Sequence, residues 1–212
     1  MRLHLLRLTP GTPAPAGLGP LDERERARAA RFLREADRVR YVVAHTALRR
    51  VLAGAVGRAP ADLEFVREAC PGCGGPHGRP ALAGDGVPQF SLSHSGDLVL
   101  IALAAVAVGV DVERSASAAA VERVLPLLHP AEQAEIRGAE RRRDAFTRVW
   151  VRKEAWLKGT GAGLGRGLAT DHVGLTGRPP GWAFAEVPVP PGFGAAVAVR
   201  GDAVRLRVCG SP

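Results

Sequence analysis

The sequence predicts an α+β fold, with antiparallel sheets packed against helices in two similar, pseudo-symmetric halves. Three observations lead there. Phe90–Ser95 and Leu98–Leu103 are strand-like runs on either side of Gly96-Asp97, and such a pair between two such runs reads as a two-residue hairpin turn. Helical and hairpin patterns alternate without the strand–helix–strand spacing of a parallel sheet. The order strand, helices, hairpin occurs twice, which predicts an N-terminal half at residues 1–105 and a C-terminal half at residues 106–212, although the halves share no evident identity.

Residues 1–8 read as a short strand, and residues 10–20, with four Pro and three Gly, as a loop. Helices are expected from Leu21 to about Leu33 and from Ala36 to about Val56. The second carries Ala44, Leu48, Val51, Leu52 and Ala55 as one apolar stripe at helical spacing. Leu63 to Arg67 is a candidate strand, followed by a Gly/Pro/Cys loop from Cys70 to Pro80 and then the hairpin. Val106 to Glu113 reads as another strand. Three helices follow: Ala118 to about Leu128, Pro130 to about Arg137 (Pro suits a first helical turn), and Arg142 to Lys158. The tail from Val173 to Val208 reads as short strands broken by Pro and Gly.

A chain of 212 residues is long enough for a real core. It contains no run of about 18 apolar residues, so no membrane-spanning helix is expected. The start, Met1 to Leu8, is too short and too charged for a signal peptide. Three Cys, an odd number, argue against a secreted disulfide framework and favour a cytoplasmic protein. The net charge of +8 favours acidic partners: phosphates, nucleic acid or an acidic protein.

Against a drift toward Arg, with Asn absent altogether, the only two Lys are Lys153 and Lys158, in one short run. Lys is a compact charge whose pKa moves on burial, whereas Arg stays charged and planar, so retaining Lys suggests a need for it. Glu154 and Lys158 lie four apart on the predicted helix and share a face, which an ordinary surface ion pair would also satisfy. Upstream, Gly109-Val-Asp111-Val-Glu113 on a strand puts Val108, Val110 and Val112 on one face and Gly109, Asp111 and Glu113 on the other. Paired carboxylates repel unless a cation or proton lies between them, and few hard oxygen ligands suit Mg²⁺ shared with substrate phosphates. Beside them, Gly109 is a place where a ligand could approach. Ser93-His94-Ser95 lacks the Gly-x-Ser-x-Gly elbow of a serine hydrolase, and His94 could instead donate to a phosphate. Cys70-Pro-Gly-Cys73-Gly-Gly-Pro-His77 has zinc-like spacing without an evident fourth ligand, or is simply a Gly/Pro loop. Gly159, Gly161, Gly163 and Gly165 follow a helix instead of opening one, so they are read as a left-handed helix terminus and turn, not a phosphate cradle.

Taken in order, these segments resemble the 4′-phosphopantetheinyl transferase superfamily of the surfactin-synthetase (Sfp) type. That family's pattern of Gly-x-Asp-x-Glu and then Trp-x-x-Lys-Glu-x-x-x-Lys-x-x-Gly-x-Gly-Leu is matched by Gly109 to Glu113 and by Trp150 to Leu164. Phe90 to Ser95 is close to its Phe-Asn-x-Ser-His-Ser, and Gly78-Arg79-Pro80 stands where it has Gly-Lys-Pro. The resemblance implies transfer of phosphopantetheine from coenzyme A to a serine of an apo acyl or peptidyl carrier protein, releasing 3′,5′-ADP, with Mg²⁺ or Mn²⁺. It implies metal ligands Asp111, Glu113 and Glu154, and catalytic roles for Glu154 as base and Lys158 at the departing phosphate. Coenzyme A would be bound by Arg28, Arg40, Arg79, Ser93 and His94, with Asp111 and Lys158 at the pyrophosphate. It further implies coenzyme A-binding helices and a Ser-His hairpin in the first half, the metal strand and Lys-Glu helix in the second, and a monomer. Two departures touch the adenosine pocket: Glu25 replaces a family lysine, and Tyr41 replaces a small hydroxyl residue. The rival readings are a Mg²⁺-dependent nuclease and a non-enzymatic zinc-binding adaptor. The nuclease has the charge in its favour, but few aromatic residues for stacking bases.

Overall fold

A computed structural model describes residues 1–9 and 18–209, apart from the Leu164 side chain. Most of the predicted loop at residues 10–20 therefore lies outside the described residues. The elements are β1 (Arg2–Arg7), α1 (Glu23–Ala30), α2 (Glu35–Val56), β2 (Phe65–Arg67), β3 (Pro80–Leu82), β4 (Gln89–Ser95), β5 (Leu98–Ala104) and β6 (Val108–Arg114), followed by α3 (Ala118–Val124), α4 (Pro130–Gly138), α5 (Arg142–Thr160), β7 (Trp182–Glu186), β8 (Phe193–Arg200) and β9 (Arg207–Cys209).

One sheet has the strand order β4-β5-β1-β9, a second β6-β8-β7, and β2 pairs with β3 in a small ribbon. All pairings are antiparallel except β1 with β9, where the tail returns to lie parallel to the first strand. The fold is therefore α+β with largely antiparallel sheets. The layers run helix, sheet, sheet, helix. Leu48 and Leu52 of α2 pack on Phe90, Val99, Ile101 and Leu103. Between the sheets, Leu3, Leu98 and Leu100 meet Val108, Val110, Val112 and Val197. On the far side, Ala196 and Ala198 receive Val151, Ala155 and Trp156 of α5. Covered on both faces, β5 is buried throughout, which is why it reads as an unbroken apolar run.

The sheets meet at a seam without a backbone ladder. Ser91, Ser93 and Ser95 recur at every second position of β4, and their Oγ atoms accept from the N–H groups of Val110, Val112 and Arg114 at 3.1, 3.3 and 3.2 Å. The N–H groups of Val110 and Val112 are buried and need acceptors, and hydroxyls supply what strand carbonyls normally would.

Several boundaries differ from expectation for local reasons. The first helix ends at Ala30, and the chain turns through Arg31–Arg34 before α2. The expected helix to Leu128 stops at Val124 and tightens into a 3₁₀ turn, because Pro126 has no N–H to continue it. Of the expected strand from Leu63, only Phe65–Arg67 pairs, with the three-residue β3. The last long helix does close on Gly161, with φ 77°, whose N–H bonds the carbonyls of Leu157 and Lys158.

Gly109 departs from its predicted role. A Cβ there would lie 1.9 Å from the Ala155 carbonyl oxygen and 2.4 Å from the Gly159 nitrogen. What approaches Gly109 is the backbone of α5, not a ligand. This close contact sets the helix against β6 and so fixes the height at which its side chains meet the strand carboxylates.

Candidate active site

Trp150, Glu154 and Lys158 are spaced four apart and lie on one face of α5. They face Asp111 and Glu113 of β6 and Ser93 and His94 of β4 across a cavity of about 290 Å³. Asp111, 2% exposed, is bound through one oxygen only. Its Oδ1 accepts from Lys158 Nζ at 2.6 Å and from Ser93 Oγ at 2.8 Å, and Lys158 also reaches Ser93 Oγ at 3.0 Å. Among the described residues, Asp111 Oδ2 is buried with no partner. Ser95 Oγ donates to Glu113 Oε2 at 2.7 Å.

The electrostatics are those of an incompletely neutralised carboxylate cluster. Burial raises the Glu113 carboxyl above its ordinary range; Asp111 adds to the rise, while Ser95 and Lys158 oppose it. Burial likewise raises Glu154, reinforced by Asp111 and Glu113 and opposed by Lys158. One ammonium faces three carboxylates, and an unpartnered buried oxygen is costly. Hard oxygen donors with an open valence on Asp111 Oδ2 fit a small divalent cation, so Asp111, Glu113 and Glu154 could hold one.

His94 is exposed, but the surrounding protein disfavours its charged form, as do the neighbouring His45, Lys158 and Arg40, with Asp37 opposing. Its pKa is held below the usual imidazole range. Nearby, His45 packs against Tyr41 in a tilted arrangement with ring centroids 4.0 Å apart, and Arg28 lies over the Tyr41 ring at 5.9 Å. Arg40 pairs with Asp37 at 2.7 Å. Neither Arg28 nor Arg40 lines the cavity.

Arg79 is placed differently. Its guanidinium is engaged by Glu68 at 2.7 and 3.2 Å and by the Gly159 carbonyl at 2.9 Å, tying β3 to the end of α5. Ser93 is similarly committed. It accepts from Val112 N–H and Lys158 and donates to Asp111, so its hydroxyl proton is already used.

Glu25, where the resemblance expects a lysine, is buried in a network with Asp22 N–H, His45 and Arg49, at 3.0, 2.8 and 2.6 Å. Burial works against its charge, but those bonds outweigh it and hold the carboxyl below the ordinary range. Tyr41 is pushed up to about 12, chiefly by burial and by the charge of Glu25.

Sequence reading missed three contributors: His45, Trp150 as a cavity wall, and the role of Lys153. Lys153, 1% exposed, pairs with the fully buried Glu132 at 2.9 Å and donates to the Leu168 and Asp171 carbonyls at 2.7 and 2.8 Å. Its ammonium anchors the segment after α5, outside the cavity. Three oxygens gathered round one nitrogen suit an ammonium better than a planar guanidinium, which accounts for one of the two retained lysines.

The family model described as the 4′-phosphopantetheinyl transferase superfamily matches residues 107–185, which include β6 and α5. The chain is 31% identical to the 4′-phosphopantetheinyl transferase HetI of Nostoc sp. over 196 residues, 85% of this chain and 79% of HetI. It is also 31% identical to slr0495 of Synechocystis sp., which carries the same family name, over 162 residues, 70% of this chain and 60% of that protein. The cavity residues of β6 and α5 fall inside the stretch that the family model matches, and on these similarities the chain belongs to the 4′-phosphopantetheinyl transferase superfamily.

Proposed function

We propose that the protein transfers phosphopantetheine from coenzyme A to a serine hydroxyl of an apo acyl or peptidyl carrier protein, releasing 3′,5′-ADP. The observation that carries this is the buried, unpartnered Asp111 Oδ2 beside Glu113 and Glu154. Asp111, Glu113 and Glu154 would hold Mg²⁺ or Mn²⁺. When bound, the cation supplies neutralising charge to the pyrophosphate and makes phosphorus a better electrophile.

Glu154 takes the proton of the carrier serine as that oxygen bonds to phosphorus. The phosphoanhydride P–O bond breaks, and 3′,5′-ADP leaves with the bonding pair. Lys158, already at the cluster, meets that developing negative charge. Arg28, Arg40 and the neighbouring His94 receive the 3′-phosphate end of coenzyme A. Ser93 and Arg79 serve the cofactor by holding Lys158, Asp111 and the end of α5 in place. Residues 1–105 contribute β4 and the basic helices, and residues 106–212 contribute the carboxylates and α5. One chain thus supplies a whole site, which supports a monomer. No described helix is long and apolar enough to cross a membrane.

The test is incubation with coenzyme A, Mg²⁺ and a panel of apo-carrier proteins. A phosphopantetheine-sized mass gain on a carrier serine supports the reading. No gain on any carrier, with a known transferase succeeding in parallel, overturns it.

A further inference from the structure

The loop between β2 and β3 carries a second cluster that the transfer chemistry does not use. Cys70, Cys73 and His77 bring two sulfurs and an imidazole nitrogen within 4.8 Å of one another. Cys73 Sγ is 2.9 Å from His77 Nε2. The backbone is folded for this gathering. Cys70 N–H bonds the Gly75 carbonyl at 2.7 Å, and Gly74 N–H bonds the Cys70 carbonyl at 2.8 Å. Gly74 turns the chain at φ 72°. A Cβ on Gly75 would lie 3.1 Å from the His77 ring and 3.4 Å from Cys73 Sγ, so the glycine lets both side chains close over it. The N–H groups of Gly72 and Cys73 donate to the Cys70 sulfur. Cys73 and His77 are nonetheless exposed, so no apolar core holds them together.

We propose that Cys70, Cys73 and His77 form a zinc site, with the fourth tetrahedral position open to the adjoining cavity. That cavity, about 460 Å³, is also lined by Ala162, Gly165 and Arg166 of the segment after α5, and water or a small added ligand fills the open position. Thiolate and imidazole select zinc, whereas the carboxylate cluster selects hard cations, so the two sites sort different metals. The loop runs directly into Arg79. Gly78 N–H bonds the Glu68 carbonyl at 2.9 Å, and a Cβ on Gly78 would meet that oxygen at 2.5 Å. The zinc clip therefore fixes the start of β3, and through Arg79 the Gly159 carbonyl next to Lys158.

The test is elemental analysis of the full chain, purified untagged, without chelator, in reductant and from zinc-supplemented cells. About one zinc per chain is expected, falling to near zero in Cys73→Ser and His77→Ala, while Glu113→Gln keeps it. Cobalt exchanged into the parent should give thiolate-to-metal charge-transfer bands and tetrahedral visible bands that shift when imidazole is added. Less than about a tenth of an equivalent of zinc with no thiolate–cobalt band overturns the site. Zinc lost in Glu113→Gln but kept in His77→Ala would place the metal at the carboxylates instead. Visible bands unmoved by imidazole would overturn the open fourth position. None of these readouts depends on transferase activity.

Discussion

Lys158 donates to only one of the two oxygens of Asp111, Oδ1, at 2.6 Å. The carboxylate is thereby divided between an ammonium on one side and an open valence on the other. A lysine can do this because its three donors radiate from one atom, reaching Ser93 Oγ as well. A guanidinium of fixed planar shape would tend to take both oxygens.

Lys158→Arg should therefore keep coenzyme A affinity nearly unchanged but lower turnover, by at least about tenfold if it also removes a proton donor. Steady-state kinetics with direct coenzyme A binding checks this. A variant as active as the parent would show that the lysine is only an electrostatic clamp.

Glu154→Gln keeps the shape while removing the base and one metal charge. Loss of a general base costs about 10²–10⁴-fold, with weaker metal binding in addition. A Mg²⁺ titration should recover only part of the rate. Full recovery at high Mg²⁺ would assign Glu154 to metal binding alone.

The pH dependence of the cluster has a definite sign. Glu113 and Glu154 have raised pKa values, so the folded state keeps protons that the unfolded chain has lost. Their contribution to stability is present at low pH and is lost as pH rises from the ordinary value of 4.5 through the raised folded values. In chelator at pH 7, Glu154→Gln should melt at a higher temperature than the parent, and the gap should shrink near pH 4.5. Mg²⁺ should raise the parent's melting temperature more at the higher pH. Calorimetry across that window tests both, and a gap independent of pH would contradict the assignment.

Lys153→Met would leave Glu132 charged and buried without its partner. Breaking a buried pair in this way costs about 3–5 kcal/mol, which equilibrium denaturation would read directly. A loss below about 1 kcal/mol, the range of a surface pair, would show that Glu132 finds another partner.

Arg28→Ala should weaken coenzyme A binding about ten- to a hundredfold, and binding of the 3′-dephospho analogue far less. Calorimetric titration of both ligands decides it. Equal losses would mean that Arg28 acts through its contact with Tyr41.

Features carried by local spacing were legible in the sequence. Gly96-Asp97 marks the hairpin, the alternation at Val108–Glu113 puts the carboxylates on one face, and four-residue spacing aligns Glu154 with Lys158. Features set by tertiary partners were not. Gly109 reads as a ligand-facing gap until the backbone of α5 is seen to fill it. The three-residue strands β3 and β9 are too short for any period, and their pairing depends on distant chain. Lys153 and Lys158 are indistinguishable as letters, and only the partners Glu132 and Asp111 separate an anchor from a site residue.

The serine seam makes docking of the sheets and ionisation of the site a single thermodynamic variable. Ser93 and Ser95 each accept a β6 N–H and donate to Asp111 or Glu113 on the same strand. Whatever stabilises those carboxylates as anions strengthens the hydroxyl bonds that hold the sheets at this edge. By reciprocity, whatever loosens the sheets must weaken the site's hold on a cation by the same free energy. Cation affinity, measured across core variants far from the cavity, becomes a gauge of how firmly the two sheets are closed.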